Sequence, residues 1–248
     1  METNATTLWS LRPAGEHAGL RRAAQAAGLR LRALPLQRLV AREAGAALAA
    51  ALVAPIRLYT SPAAVRFAAM QADLRRPGLD IAVGSGTAAA LRRAGAAAVL
   101  QPERMDSEGV LGLPALQAVG DQTVGLVTAP GGRGLIPQVL GGRGARLVVA
   151  EVYARCMQRG GARRLAAFVD DQGAVLLASS AEALALLCRR LPAAGSPRGD
   201  AVRARPLVLS SPRLAERAAA EGFRDRRVAR GPSPAALVAA ALTPTDLQ

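Results

Sequence analysis

A chain of 248 residues is long enough for one large domain or two small ones, and its 51% apolar content includes only six aromatic residues against 57 alanines, so the core must be built from small aliphatic side chains. All 32 basic residues are arginine, which excludes Schiff-base chemistry, a lysine nucleophile and the lysine of a phosphate-binding loop. A single histidine and two separated cysteines, Cys156 and Cys188, exclude a structural zinc site and a disulfide framework, and point to a reducing, cytoplasmic setting.

Six short apolar runs read as strands, at 7–11, 56–60, 81–84, 124–128, 174–178 and 206–210, each followed by loop residues and an Ala/Leu helix. Near-continuous apolar strands alternating with helices predict parallel sheets covered on both faces. The order of units repeats. A strand, an arginine-bearing loop, a helix, a glycine and a second strand occupy 8–36 and again 124–153, with Gly28 matching Gly144. A strand ending at Ser and then a helix occupy 56–70 and 174–190. A strand, a helix ending in Gly, another strand and a Ser-led helix occupy 81–119 and 207–242, with Gly95 matching Gly222 and Ser107 matching Ser233. The chain is therefore a duplicated α/β unit. Periodicity alone leaves open a sequential split near residue 121 and an exchange of the first units between the halves. No run approaches the roughly 18 apolar residues of a membrane span, and the polar start lacks a basic leader, so neither a span nor a signal peptide is expected.

The net charge is +14. The arginines come as scattered pairs, Arg21 and Arg22, Arg75 and Arg76, Arg92 and Arg93, Arg163 and Arg164, Arg189 and Arg190, placed at helix ends or on helix faces. Arginine standing in for lysine on solvated faces accounts for most of this charge. A nucleic-acid surface would add a clustered stripe and stacking aromatics, and these are missing from the sequence. A polyanionic small molecule fits better. Ligands of open parallel sheets bind outside the carboxyl ends of the strands, and here those ends carry Ser10 and Arg12, Thr60 and Ser61, residues 84–87, residues 128–133, Ser179 and Ser180, and Ser210 and Ser211. Each serine alone reads as an ordinary helix cap; six recurrences suggest a site for carboxylates or phosphates.

Several short pieces, in this order and spacing, carry a resemblance. They are Tyr59-Thr60-Ser61-Pro62-Ala63-Ala64-Val65, Val83-Gly84-Ser85-Gly86-Thr87-Ala88-Ala89-Ala90-Leu91, Asp106-Ser107-Glu108-Gly109, Pro130-Gly131-Gly132-Arg133, Glu151-Val152-Tyr153 and Gly231-Pro232-Ser233-Pro234. Over residues 8–242 the sequence resembles the uroporphyrinogen-III synthases. The resemblance implies two flavodoxin-like α/β domains joined by two crossing linkers, with the active-site cleft between them. Residues 1–37 and 155–248 would form the discontinuous terminal domain, 40–151 the inserted one, and the linkers would lie near 36–40 and 152–156. It implies a monomeric, cytoplasmic hydro-lyase of haem biosynthesis without metal or organic cofactor. Such an enzyme cyclises hydroxymethylbilane, which carries eight carboxylates, losing water and inverting ring D. No nucleic-acid or membrane partner is implied; a transient handover from hydroxymethylbilane synthase is.

Carried over position by position, the resemblance makes Tyr153 the catalytic residue, placed near the leaving hydroxyl. Thr87, in the glycine–threonine turn that begins at Gly84, would bind substrate or cap the next helix. Ser61, Ser179, Ser180 and Ser211 would line the site. Gly131, Gly132 and Arg133 would form a carboxylate-binding loop, with Arg12 and Arg213 adding charge. The sequence departs from the family's pattern at Ala63, where many relatives are basic, and at Ser210-Ser211-Pro212-Arg213, which lacks the threonine. Arg205 and Arg213 are the expected compensation there. His17 reads as part of an exposed loop and Cys188 as a helix residue, neither with a role. The competing reading is a non-catalytic two-domain binder of an anionic tetrapyrrole-like ligand, a degenerate synthase homologue.

Overall fold

The structure is a computed structural model that describes residues 6–131 and 134–243. The chain begins with β1 (Thr7–Ser10), α1 (Ala18–Ala26), β2 (Arg30–Ala33) and β3 (Gln37–Ala41). It continues through α2 (Gly45–Leu52), β4 (Ile56–Tyr59), α3 (Pro62–Ala69), β5 (Leu79–Ala82), α4 (Ser85–Arg93) and β6 (Val99–Leu100). Next come α5 (Ser107–Leu111), a single 3-10 turn (Pro114–Leu116), β7 (Thr123–Thr128), α6 (Leu135–Gly142) and β8 (Arg146–Glu151). The last third holds β9 (Tyr153–Met157), α7 (Gly161–Asp170), β10 (Ala174–Ala178), α8 (Ala181–Cys188) and α9 (Pro197–Arg203). It ends with β11 (Leu207–Leu209), α10 (Pro212–Ala220), β12 (Arg226–Val228) and α11 (Pro234–Leu242).

The chain divides into two compact units, a terminal unit of residues 1–38 and 156–248 and an inserted unit of residues 39–155. Each holds a five-stranded parallel sheet, ordered β12-β11-β10-β1-β2 in the terminal unit and β6-β5-β4-β7-β8 in the inserted one. The strands of the first repeat unit, β1 and β2, join β10 rather than β4, with Thr7 opposite Ala174 and Ser10 opposite Leu177. Counted along its own segments, the terminal unit has the flavodoxin order 2-1-3-4-5, and the inserted unit has the doubly wound order 3-2-1-4-5. The spatial arrangement is the same, with β7 and β8 in the places of β1 and β2.

Alternation along the strands builds two hydrophobic layers in each unit. In β10, Leu176 packs into a layer with Trp9, Phe168, Leu184 and Phe223, whereas Val175 and Leu177 face Leu20 and Leu237 across the sheet. In the inserted unit Tyr59 and Val127 meet α2, α3 and α4, while Leu58 and Leu126 meet α5 and α6. Small residues let the layers approach: a Cβ on Gly125 of β7 would stand 2.2 Å from the Ala51 carbonyl oxygen of α2. Helix starts are set by Ser-Pro pairs, in which the serine side chain accepts from the third amide and proline takes the first helical position. Ser61, Ser196, Ser211 and Ser233 do this for α3, α9, α10 and α11.

Within β4, Arg57 is fully buried and pairs with Asp80 of β5 through two contacts, Nε to Oδ1 at 2.7 Å and Nη2 to Oδ2 at 3.1 Å. Its Nη1 donates to the Pro77 carbonyl at 2.6 Å. The linkers expected near 36–40 and 152–156 fall largely on two strands, β3 and β9, which pair with each other as a two-stranded ribbon. Among the described residues no helix is long and apolar enough to cross a membrane.

Candidate functional site

In the inserted unit the strand order reverses between β4 and β7, and the chain leaves the carboxyl ends of both strands there. Parallel sheets bind ligands at such a point. Thr60 and Thr128 stand side by side, with the Thr60 hydroxyl donating to Thr128 Oγ1 at 2.9 Å. Ser61 follows as the cap of α3, its Oγ accepting from the Ala64 amide at 3.0 Å. The same Oγ lies 3.0 Å from the hydroxyl of Tyr153, the first residue of β9. With one lone pair engaged by Ala64, the serine can pass its proton to the phenol oxygen, which leaves the phenol proton available for another acceptor.

Tyr153 is 2% exposed. Its ring stacks on Phe67 of α3, with centroids 5.4 Å apart and planes at 17°, and the Arg155 guanidinium lies 5.7 Å from the ring centroid. Phe67 is the residue that sequence reasoning missed. It lies six positions after Ser61 on the same helix, so one helix supplies both the ring's platform and the hydroxyl's partner.

Gly84 caps α4 by its backbone alone, and a Cβ there would come within 3.3 Å of Met105. Thr87 is buried inside α4, its amide bonded to the Gly84 carbonyl at 3.0 Å, so it is not the helix cap that was one of its two expected roles. Gly131 has a φ of +81°, a conformation that favours glycine. Gly132 and Arg133 lie outside the described residues.

In the terminal unit the equivalent reversal lies between β1 and β10. Ser10 is fully buried, and its Oγ accepts from the Arg12 amide at 3.3 Å. Arg12 is half-buried, with Nη2 donating to the Pro232 carbonyl at 2.8 Å and a buried Nε that has no partner. Burial holds this guanidinium below its ordinary range, with Glu16 opposing. At the other strand end Ser179 is exposed, while Ser180 caps α8 by accepting from the Ala183 amide at 3.3 Å. Ser211 caps α10, and Arg213 on that helix is exposed.

Two expectations need correction. Arg205 does not compensate charge beside Arg213: its Nη1 and Nη2 donate to the Phe168 and Val169 carbonyls, each at 2.8 Å, closing the end of α7. His17 is not in an exposed loop. It is 5% exposed, with Nε2 3.3 Å from the Ser10 carbonyl. The imidazole is held below its ordinary range by burial, with Arg21 and Arg12 pushing the same way and the Ser10 carbonyl opposing.

The structure thus brings Ser61 and Tyr153 into contact in the inserted unit, and places Arg12, Ser179, Ser180, Ser211 and Arg213 at strand ends of the terminal unit. Among the described residues no three His, Cys, Asp or Glu side chains cluster to hold a metal. Burial pushes the Cys188 thiol up to about 12, so it is a packing residue.

A family model described as uroporphyrinogen-III synthase HemD matches residues 19–239. No curated protein sequence is a significant match. Among solved structures, a uroporphyrinogen-III synthetase from Helicobacter pylori aligns with a TM-score of 0.64 at 13% identity, over 96% of this chain and 98% of that one. A mutant uroporphyrinogen III synthase from Thermus thermophilus aligns with a TM-score of 0.60 at 19% identity, over 95% of this chain and 96% of that one. At these identities the structural likeness concerns the fold.

Proposed function

The chain belongs to the uroporphyrinogen-III synthase family, and from that premise we propose that it closes hydroxymethylbilane into uroporphyrinogen III, with loss of water and inversion of ring D. The observation that carries the site assignment is the Ser61–Tyr153 contact at the strand-order reversal of the inserted unit.

The terminal hydroxyl of the linear tetrapyrrole leaves with its bonding electron pair and takes up a proton, departing as water. The pyrrole nitrogen lone pair fills the gap and gives a cationic azafulvene. Its exocyclic carbon is attacked by the substituted α-carbon of the last ring, which forms a spiro centre. One bond of that centre breaks, the ring turns over, and closure at the free α-carbon with loss of a proton restores the pyrrole. The Tyr153 phenol donates a hydrogen bond to the departing oxygen, and Ser61 supplies the phenol with a compensating donor. Because the pyrroles drive the bond changes, the protein contributes mainly position and charge. Thr87, Gly84 and Gly131 in the inserted unit, with Gly132 and Arg133, serve the substrate's carboxylates, as do Arg12, Ser179, Ser180, Ser211 and Arg213 in the terminal unit. In this reading the protein is a cytoplasmic monomer, a lyase that receives its labile substrate from hydroxymethylbilane synthase. No observation favours the non-catalytic alternative.

The test is a coupled assay in which enzymatically generated hydroxymethylbilane is offered to the protein and the oxidised products are separated. Isomer III in excess is expected. Isomer I alone, at the rate of spontaneous closure, overturns the reading.

A further inference from the structure

The ribbon of β3 and β9 is a sheet of its own, so the point where Tyr153 enters it is held partly by contacts outside the five-stranded ladders. The Val152 amide still bonds to the end of β7, donating to the Thr128 carbonyl at 3.0 Å. Its carbonyl turns the other way, accepting from the Arg42 amide at 2.9 Å and from a side chain, that of Gln71. Gln71 is the second residue past the end of α3, and it is exposed. A surface glutamine ordinarily keeps its amide in water and free to turn. This amide points inward at both ends. Its Nε2 donates to the Arg42 carbonyl just past β3 at 3.1 Å, to the Phe67 carbonyl of α3 at 3.0 Å and to the Val152 carbonyl at 3.4 Å. Its Oε1 accepts from the Ala44 amide, at the cap position of α2, at 3.0 Å.

The partners determine which way the amide faces. Turned over, it would set its oxygen against three carbonyls and its hydrogens against an N–H. Two hydrogens serve three carbonyls, so one is shared. Two of the carbonyls it gathers belong to the candidate site. Phe67 carries the ring on which Tyr153 stacks, and the Val152 carbonyl belongs to the peptide unit whose nitrogen is that of Tyr153. One amide thus ties the backbone of the platform to the backbone of the phenol. The Ser61 oxygen that meets the phenol caps the amino end of the same helix. Helix α3 therefore holds Tyr153 twice, by its hydroxyl at one end and by its backbone at the other, with Phe67 between.

We propose that Gln71 is a positioning residue: by holding the Val152–Tyr153 peptide to the carboxyl end of α3, it keeps the Tyr153 phenol within hydrogen-bonding distance of Ser61. Every residue in this arrangement lies in the inserted unit. The effect on turnover rests on the synthase reading; the effect on the phenol does not, and the two are measured separately. Gln71→Glu tells the two ends of the amide apart. Its carboxylate keeps an acceptor for the Ala44 amide, at a helix start where negative charge is favourable, but has no hydrogen for the three carbonyls. Gln71→Ala loses both.

Tyr59 and Tyr153 are the only tyrosines of the chain, so the full-length protein labelled with an NMR-active carbon at the tyrosine Cζ gives two resonances, and Tyr153→Phe assigns them. In the free protein, Gln71→Glu and Gln71→Ala should both move the Tyr153 resonance in the direction in which Ser61→Ala moves it. The resonance of Tyr59, a fully buried ring of β4, should stay in place. In the coupled assay both variants should lower kcat about 2- to 10-fold, the worth of one net hydrogen bond, with KM within about twofold. Added to Tyr153→Phe, Gln71→Glu should lower kcat no further, because the phenol it positions is gone. A Tyr153 resonance unmoved by Gln71→Glu, an equal shift of both tyrosines, or the same loss of kcat with and without the phenol overturns the proposal. Loss of kcat in Gln71→Ala but not in Gln71→Glu assigns the effect to the start of α2 and overturns it too. If the unaltered protein yields isomer I alone, the synthase reading falls, and the two resonances still decide the role of Gln71.

Discussion

The Ser61 side chain and the Tyr153 phenol share one hydrogen bond at 3.0 Å, and the same Ser61 oxygen fixes the first turn of α3. The phenol is therefore positioned by the helix that also stacks Phe67 beneath it.

Tyr153→Phe removes the donor and keeps the ring. A charge-assisted hydrogen bond is worth about 1–3 kcal/mol in the transition state, so turnover should fall by about 5- to 150-fold with little change in KM. Isomer III should remain the main product if substrate folding decides which end of the ring closes. Ser61→Ala should lower both stability, by about 0.5–2 kcal/mol for the lost cap, and kcat; Ser61→Thr should restore both. A kcat for Tyr153→Phe equal to that of the unaltered protein would place the proton donor elsewhere.

The Arg57–Asp80 pair is buried on both sides. Arg57→Met strands a carboxylate in the core of the inserted unit and should cost about 3–5 kcal/mol in urea unfolding. Arg57→Met/Asp80→Leu should be less destabilised than Arg57→Met alone, because no charge is left unpaired. A double variant that loses the sum of the two single effects would show that the pair is not coupled.

His17 gives a pH signature. Its imidazole is held below its ordinary range by burial, so between the unfolded and folded values the unfolded chain binds more protons. His17 therefore contributes stability that is complete above about pH 6.5 and is lost as pH falls toward the folded value. Melting curves from pH 7.5 to 5 should show this decline, and His17→Gln should flatten it. As the chain's only histidine, its titration by NMR needs no assignment, and a midpoint at or above the ordinary value would contradict the burial argument.

Two glycines should respond in opposite directions to the same methyl group. Gly125→Ala drives a Cβ into the Ala51 carbonyl and should cost about 3 kcal/mol, the upper end of overpacking effects. Gly141→Ala, on α6 with open space around it, should gain about 0.5–1 kcal/mol from helix propensity. Comparable effects at both sites would mean that α2 and β7 yield to each other more easily than their backbone approach implies.

The parallel sheets were legible because β4, β7 and β10 are fully or nearly fully buried and carry apolar runs to match. The repeat was legible in glycines at the ends of helices, where a positive φ selects the residue: Gly28, Gly95, Gly144 and Gly222 all have it. The ribbon strands were not, because Gln37–Ala41 and Tyr153–Met157 mix charged and apolar residues and become strands only by pairing with each other. Arg57 also gave no sign. An arginine in an apolar run is explained only by Asp80 on the neighbouring strand, 23 positions on. At the candidate site, Tyr153 and Ser61 stood out by family resemblance, but their contact joins β9 to the start of α3 across 92 positions, a closeness no local pattern encodes.

The pairing of Thr7 with Ala174 sets an order on how the molecule is made during translation. The five strands of the inserted sheet emerge from the ribosome as one uninterrupted stretch and can close as soon as β8 is out. By contrast β1 and β2, synthesised first, must wait for β10, whose arrival follows the whole of the inserted unit. The earliest residues are thus held back until late in synthesis, and long-range closure of this kind is the slow step in chains of high contact order. An inserted unit that folds promptly shortens the wait, because its compact body brings the ends of 38 and 156 together and turns a distant pairing into a near one.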